Sequence, residues 1–307
     1  MASSFQTKRL ARTSVVQSPI RSARRALLGL IGSPIGGSAS PAMHEAAGDA
    51  VGMRCHYQLI DVANADATEL ARLLHGVRRL GFAGVNVTFP YKEAVLALLD
   101  ALSPGARTVG SVNTVVVRDG ALTGHNTDAT GFRRAVQPLV EASGRGAVAL
   151  LGAGGVGKAI AFALAELSVA EIRVFDIDFG KAEALAARFD DRARLMPCRS
   201  VAEALAGAVG VVNGTPVGMT PNRDTPVPAA LLNPDLFVVD AVYSPLWTPL
   251  LVAAKAVGAR TMTGRDLAVF QAADAFELFV GVKPPIEPMA EAFDRVMANR
   301  ERGANAA

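Results

Sequence analysis

Three glycines, Gly152, Gly154 and Gly157, fall at the G-x-G-x-x-G spacing directly after a five-residue apolar run, Ala147 to Leu151. Such a run reads as a parallel strand buried on both faces. An apolar helical pattern follows to Leu167, then a second strand-like run, Ile172 to Phe175, that ends at Asp176. In this order each part has a job in holding a dinucleotide. Gly152 permits a tight turn, Gly154 lets the backbone approach a pyrophosphate, and Gly157 lets the helix pack closely on the strand. Free N–H groups of the loop Gly152-Ala153-Gly154-Gly155-Val156-Gly157 would meet the phosphates at the helix start, where the dipole favours negative charge. Asp176 is placed to accept hydrogen bonds from the adenosine ribose. A carboxylate there pairs with a free 2′-hydroxyl and repels a 2′-phosphate. Ile177 follows where an arginine would help NADP, and Asp178 adds negative charge nearby. The expected cofactor is NAD, with NADP the lesser alternative.

A second set of polar residues sits where open sheets bind ligands, in loops at strand ends. These are Ser38-Ala39-Ser40-Pro41, the run from Asn86 to Lys92, Ser111 to Thr114, Asn126-Thr127-Asp128, and Gln271 in a late helix. Taken singly, each has a bland reading. Lys92 is a solvated lysine at a helix start, Asp128 a carboxylate on a helix dipole, and the serines are turn residues before a proline. Taken in order they are S-x-S-P-x-x-H, N-V-T-x-P-Y-K, V-N-T, N-T-D, then N-x-T-P-x-G-M from Asn213 to Met219, and Gln271. This ordered set resembles the shikimate and quinate dehydrogenase family, from Gly29 to about Met297.

The resemblance implies a polyhydroxylated cyclohexane or cyclohexene carboxylate as substrate. Ser38 and Ser40 would match the serines that hold its carboxylate, with Tyr243 nearby. Asn86, Thr88, Asn113 and Gln271 would match the groups that bond ring hydroxyls. Lys92 and Asp128 match the catalytic pair, and Asn213, Thr215 and Gly264 would complete the cofactor contacts. The chemistry agrees with this. Removing hydride from an alcohol also requires loss of its proton, so a base must touch the oxygen. Desolvation and a neighbouring carboxylate push a lysine's proton affinity in opposite directions, so the pair is taken as one acid–base unit. Many neutral groups on a polyol acid would penalise analogues that lack a hydroxyl. NADP-using biosynthetic members commonly carry an Asn-Arg-Thr-like segment after the second strand. Asp176-Ile177-Asp178 resembles the NAD-using quinate/shikimate branch instead, while Ala129 replaces a glycine usual after N-T-D in the biosynthetic branch. The expectation is an NAD-dependent quinate/shikimate dehydrogenase. The alternatives are an NADP-dependent biosynthetic shikimate dehydrogenase and a non-catalytic regulatory protein that keeps the fold. His44 is expected to be structural, packed under the serine loop. Met219 either lines the nicotinamide pocket or fills core.

These residues need two open parallel sheets flanked by helices, an α/β chain with a cleft between its halves. Strands are expected at Ala26 to Ile31, His56 to Asp61 and Gly84 to Thr88, with helices from near Pro41, over Ala67 to Arg79, and from Pro90 to Asp100. A hairpin joins Val112 to Val117 with Ala121 to Thr123 through Arg118-Asp119-Gly120. A helix then runs from Asn126-Thr127-Asp128 towards Val140. Beyond the first two dinucleotide strands, further strands are expected at Val209 to Asn213 and Leu236 to Asp240, with helices at Lys181 to Phe189 and Thr248 to Val257. Two last helices, Asp266 to Val280 and Ile286 to Ala298, should return to the first half. The expected division is a disordered basic tail over residues 1–25, a substrate domain over 26–127 and 266–300, and a Rossmann-like NAD domain over 128–265.

Composition limits the other possibilities. The net charge of +3 comes from the tail, where Lys8, Arg9, Arg12, Arg21, Arg24 and Arg25 precede the first acid, Glu45. Rich in Ser and Arg, the tail resembles a transit peptide, although a disordered extension or an upstream start codon is the preferred reading. Phe5 is its sole aromatic, so the stacking residues of a nucleic-acid site are absent. No apolar run approaches the roughly eighteen residues of a membrane span. Cys55 and Cys198 make neither a disulfide framework nor a metal cluster, and four scattered histidines add no metal site. A cytoplasmic monomer or homodimer acting on a small molecule is expected.

Overall fold

The computed structural model describes residues 24–189 and 194–305, so most of the basic tail lies outside the described residues. Two six-stranded sheets organise the chain. The first holds β1 (Arg25–Gly32), β2 (Arg54–Asp61), β3 (Gly84–Val87), β4 (Ala101–Leu102), β5 (Thr114–Arg118) and β6 (Ala121–His125), in the order β2-β1-β3-β5-β6-β4. Its β1–β2 and β1–β3 pairs are parallel, but β5 runs antiparallel to both β3 and β6. The expected open sheet and its hairpin both form, and the hairpin at Asp119-Gly120 makes the sheet mixed by laying β5 antiparallel to β3 and β6. Both turn residues have positive φ, 50° and 78°, as a two-residue hairpin turn requires. β1 also takes in Arg25, which the sequence reading left in the tail.

The second sheet is parallel throughout: β7 (Ala147–Leu151), β8 (Glu171–Phe175), β9 (Leu195–Cys198), β10 (Gly210–Asn213), β11 (Phe237–Asp240) and β12 (Arg260–Met262), ordered β12-β11-β10-β7-β8-β9. Chain direction across the sheet reverses between β7 and β10, which opens a crevice at their carboxyl ends. Every residue of β10 and β11 is buried, as expected of strands covered on both faces.

The helices are α1 (Ser40–Ala50), α2 (Ala67–Arg79), α3 (Pro104–Val109), α4 (Thr127–Ala142), α5 (Gly155–Glu166), α6 (Phe179–Ala187), α7 (Val201–Leu205), α8 (Pro249–Ala256), α9 (Gly264–Val280) and α10 (Ile286–Asn305). In α2, Leu70, Leu74 and Val77 make the buried stripe, and the Asp66 carboxylate accepts from Glu69 N at 2.8 Å to cap the first turn. α9 and α10 pack against the first sheet, in one core with Leu28, Leu30, Met43 and Tyr57. The helix expected from Pro90 to Asp100 does not form. That stretch is a series of turns ending in a short three-ten segment, Leu96–Leu98. Its backbone is pulled aside by tertiary hydrogen bonds, Val112 N to Lys92 O at 2.8 Å and Asp100 N to Leu122 O at 3.0 Å.

Two packing features generate tests. A Cβ on Gly131 in α4 would stand 2.4 Å from Gln271 N and 2.7 Å from its Cα, so α4 and α9 touch backbone to backbone. Gly131→Ala is expected to destabilise the protein by about 1–3 kcal/mol despite alanine's better helix propensity, measured by denaturant unfolding. Asp240, fully buried, accepts from Asn213 Nδ2 and Val242 N at 2.9 Å each and from Thr248 Oγ1 at 2.7 Å. Burial pushes its carboxyl up from 3.8 to about 6, against the pull of those hydrogen bonds. The folded value exceeds the unfolded one, so this group favours folding below about pH 4 and the contribution is lost as pH rises through about 6. Asp240→Asn should therefore gain thermal stability relative to wild type between about pH 4.5 and about pH 7.5. A constant difference in melting temperature across that range would contradict it.

Candidate active site

Lys92 and Asp128 come together across the carboxyl edge of the first sheet, with Nζ 2.6 Å from Oδ2 and both side chains largely buried. Each is held from behind. Lys92 leaves a loop pinned by Tyr91, whose buried hydroxyl donates to Val62 O and accepts from Ala65 N. Asp128 lies in the first turn of α4, where the dipole favours a carboxylate. Asn126 caps that turn, accepting from Ala129 N at 3.1 Å while its amide donates to Ser111 O and Oγ. The second Asp128 oxygen accepts from Asn113 Nδ2 at 2.9 Å. A lysine and an amide thus fix both oxygens, and the lysine is the partner that can exchange a proton.

The wall beside this pair is neutral and fully hydrogen-bonded. Asn86 Nδ2 donates to Asn113 O at 3.1 Å and Thr114 Oγ1 at 3.0 Å, and Asn86 Oδ1 accepts from the Tyr57 hydroxyl at 2.9 Å. Thr114 Oγ1 donates to Asn113 Oδ1 at 3.0 Å, and Asn113 Nδ2 also reaches Thr127 Oγ1. The register makes this possible, because Asn86 on β3 faces Thr114 on β5. At the far end, Ser38 Oγ and Ser40 Oγ are 3.1 Å apart, around the first residue of α1. His44, one turn on, is buried and stacks on Tyr57 with ring centroids 4.7 Å apart. Burial pushes its imidazole down to about 3, so a neutral ring underlies the serine loop. Of the other expected substrate groups, Thr88 donates through its backbone N to Ile31 O, and Gln271 folds back onto Ala268 O on the α9 face opposite Gly131. Tyr243, 40 % exposed, meets Phe293 of α10 edge to face.

The second sheet presents a glycine loop shaped for a dinucleotide. Gly152 has φ +94°, and a Cβ on Gly157 would stand 2.0 Å from Gly152 O. Side chains are thus excluded at both places. Gly154 caps α5, and Cβ atoms on Gly154 or Gly155 would meet nothing within 4 Å. The backbone is therefore approachable where phosphates would lie. Asp176 ends β8 with Oδ2 accepting from Ala153 N at 2.8 Å and Oδ1 from Asp178 N at 2.9 Å. The carboxylate braces the glycine loop, and Ile177 beside it is almost wholly exposed. Asn213 Oδ1 accepts from Thr215 N at 3.0 Å and Oγ1 at 2.6 Å, and its amide is tied to Asp240. Gly264 lets α9 start against Ala241 O and Val242 O, which a Cβ would meet at 2.6 and 2.5 Å. These residues fit NAD, whose pyrophosphate would meet the start of α5 and whose ribose would meet Asp176. Met219 is 47 % exposed and not core. Among the described residues, no three His, Cys, Asp or Glu side chains form a metal-binding group. Lys158 of α5 reaches across to Glu93, next to Lys92, at 2.7 Å.

Tyr57 and Asp240 belong to this framework and carry no motif signal in the sequence. Each lies within a strand-like apolar run, and only the tertiary partner reveals its role.

Residues 30–115 match the family model described as the shikimate dehydrogenase substrate binding domain. The chain is 44% identical over 275 residues to the quinate/shikimate dehydrogenase (NAD(+)) of Corynebacterium efficiens, an alignment covering 87% of this chain and 97% of that one. Among solved structures it is similar to the quinate dehydrogenase of Corynebacterium glutamicum in complex with NAD, with TM-score 0.82 and 42% identity over 88% of this chain and 99% of that one. The shikimate 5-dehydrogenase of Thermus thermophilus in complex with NADP(H) and shikimate gives TM-score 0.78 and 39% identity, covering 88% and 99%. With this wall of amides and hydroxyls, the Lys92–Asp128 pair, the glycine loop of the second sheet and these likenesses, the chain belongs to the shikimate/quinate dehydrogenase family.

Proposed function

We propose that this protein is an NAD-dependent quinate/shikimate dehydrogenase, interconverting the ring alcohol and its 3-dehydro ketone. The observation that carries the reading is the 2.6 Å Lys92–Asp128 contact at the edge of a neutral hydrogen-bonding wall. Ser38 and Ser40 hold the ring carboxylate. Asn86, Thr88, Asn113 and Gln271 orient the hydroxyls, and Tyr243 closes the carboxylate end. When bound, NAD supplies the hydride acceptor. The Lys92–Asp128 unit takes the proton of the reacting hydroxyl as its carbon loses hydride, and returns it in the reverse direction. Partial burial of the pair strengthens its hold on a developing alkoxide. Residues 26–127 and 266–300 form the substrate half of this proposal and 128–265 the NAD half. The working species is taken as a monomer or homodimer in the cytoplasm. Free thiols at Cys55 and Cys198 suit a reducing compartment. Among the described residues no helix is long and apolar enough to cross a membrane.

Steady-state rates with quinate and shikimate, each against NAD and NADP, test the assignment. NAD is expected to be preferred with both acids, and a strong NADP preference would move the protein to the biosynthetic branch. Lys92→Ala should lower kcat by about 10²–10⁴-fold while NAD still binds, measured by fluorescence titration. A wild type that binds both ligands without turnover would favour a non-catalytic role. Asp176→Ala is expected to raise the KM for NAD and narrow the gap to NADP; an unchanged NAD KM would remove Asp176 from the ribose site.

A further inference from the structure

The wall described above is polarised in one direction. Asn113 O is a backbone carbonyl and can only accept, so the Asn86 side-chain nitrogen must face it and Asn86 Oδ1 must face Tyr57. Tyr57 therefore donates to Asn86. Asn86 donates to Thr114, Thr114 to Asn113 Oδ1, and Asn113 to Asp128. Phenol, amide, hydroxyl and amide thus lead in one sense to a carboxylate that Lys92 holds from its other side. Chains of this kind polarise one another when water is excluded. Tyr57, Asn86, Asn113 and Thr114 are all buried.

Tyr57 is the outer end of this chain. Its ring stacks on His44, and its hydroxyl donates to Asn86 Oδ1. With both Asn86 N–H groups consumed internally, what remains for a ligand is a lone pair on Oδ1. A ring hydroxyl must then meet Asn86 as a donor.

We propose that Tyr57 is a positioning residue, whose hydroxyl fixes Asn86 as an acceptor for a ring hydroxyl. The inference rests on the assignment of Asn86 to the substrate site. The phenol touches neither substrate nor cofactor.

Tyr57→Phe keeps the ring, the burial and the His44 stack and removes only the hydroxyl. With shikimate and NAD as the probes, KM for shikimate should rise about three- to tenfold, the size of one neutral hydrogen bond, with kcat and the KM for NAD changed less than about twofold. A packing role alone would lower the melting temperature without this split. Asn86→Ala and the double variant complete a cycle. Positioning through Asn86 predicts that Tyr57→Phe raises KM by less than about twofold once Asn86 is alanine. Independent, multiplying effects would overturn the inference, as would an unchanged KM in Tyr57→Phe while Asn86→Ala raises it. If Asn86→Ala leaves the shikimate KM unchanged, the assignment of Asn86 to the substrate fails, and this inference with it.

Discussion

The Asp128 carboxylate is the point to which the rest of the site is anchored. One oxygen holds the ammonium of Lys92 at 2.6 Å and the other the amide of Asn113 at 2.9 Å. A carboxylate bonded on both sides cannot swing, so the lysine is aimed as well as paired. Surface ion pairs owe little to their geometry because water competes for each partner. Here the amide, the start of α4 and partial burial limit that competition. The hydroxyls and amides running back to Tyr57 extend the same constraint over the substrate wall.

Two sheets have to agree on where that carboxylate stands. α4 serves both, since its first turn carries Asp128, Gly131 lies backbone to backbone against α9 at Gln271, and Phe132, Val136 and Val140 enter the core of the second sheet. A single helix therefore sets the acid–base pair against the hydroxyl wall and against the glycine loop. Asp240 has a comparable duty on the cofactor side. It ties the Asn213 loop to the start of the 241–248 segment without a cation to neutralise it, and the raised carboxyl reflects that choice.

Much of this was legible in the chain. The glycine spacing, the buried runs and the terminal Asp176 specify a strand, turn, helix and strand by local rules, and the second sheet follows them. The ordered polar motifs placed Lys92 and Asp128 in loops at strand ends, where they stand. The segment after Pro90 was misread as a helix because its apolar residues have helical spacing, yet hydrogen bonds to Val112 and Leu122 decide its path. β5 was expected as a hairpin strand, but its antiparallel pairing with β3 depends on which edge it finds, and no local pattern encodes that. Tyr57 and Asp240 were invisible for a related reason. A tyrosine in an alternating strand and an aspartate closing an apolar run look ordinary until their partners, 29 and 27 residues away in the chain, are in place.

Lys158 and Glu93 bridge the halves near the mouth of the cleft, with Glu93 more than half exposed. Such a pair contributes roughly 0–1 kcal/mol, comparable to thermal energy. Deeper in, Val109, Ala129 and Ala159 form a dry cluster between α3, α4 and α5. The firm attachment is thus at the root and the soft one at the lip. Releasing Glu93 would therefore free Lys158 beside the glycine loop at little cost, while the three helices stay packed on their dry cluster.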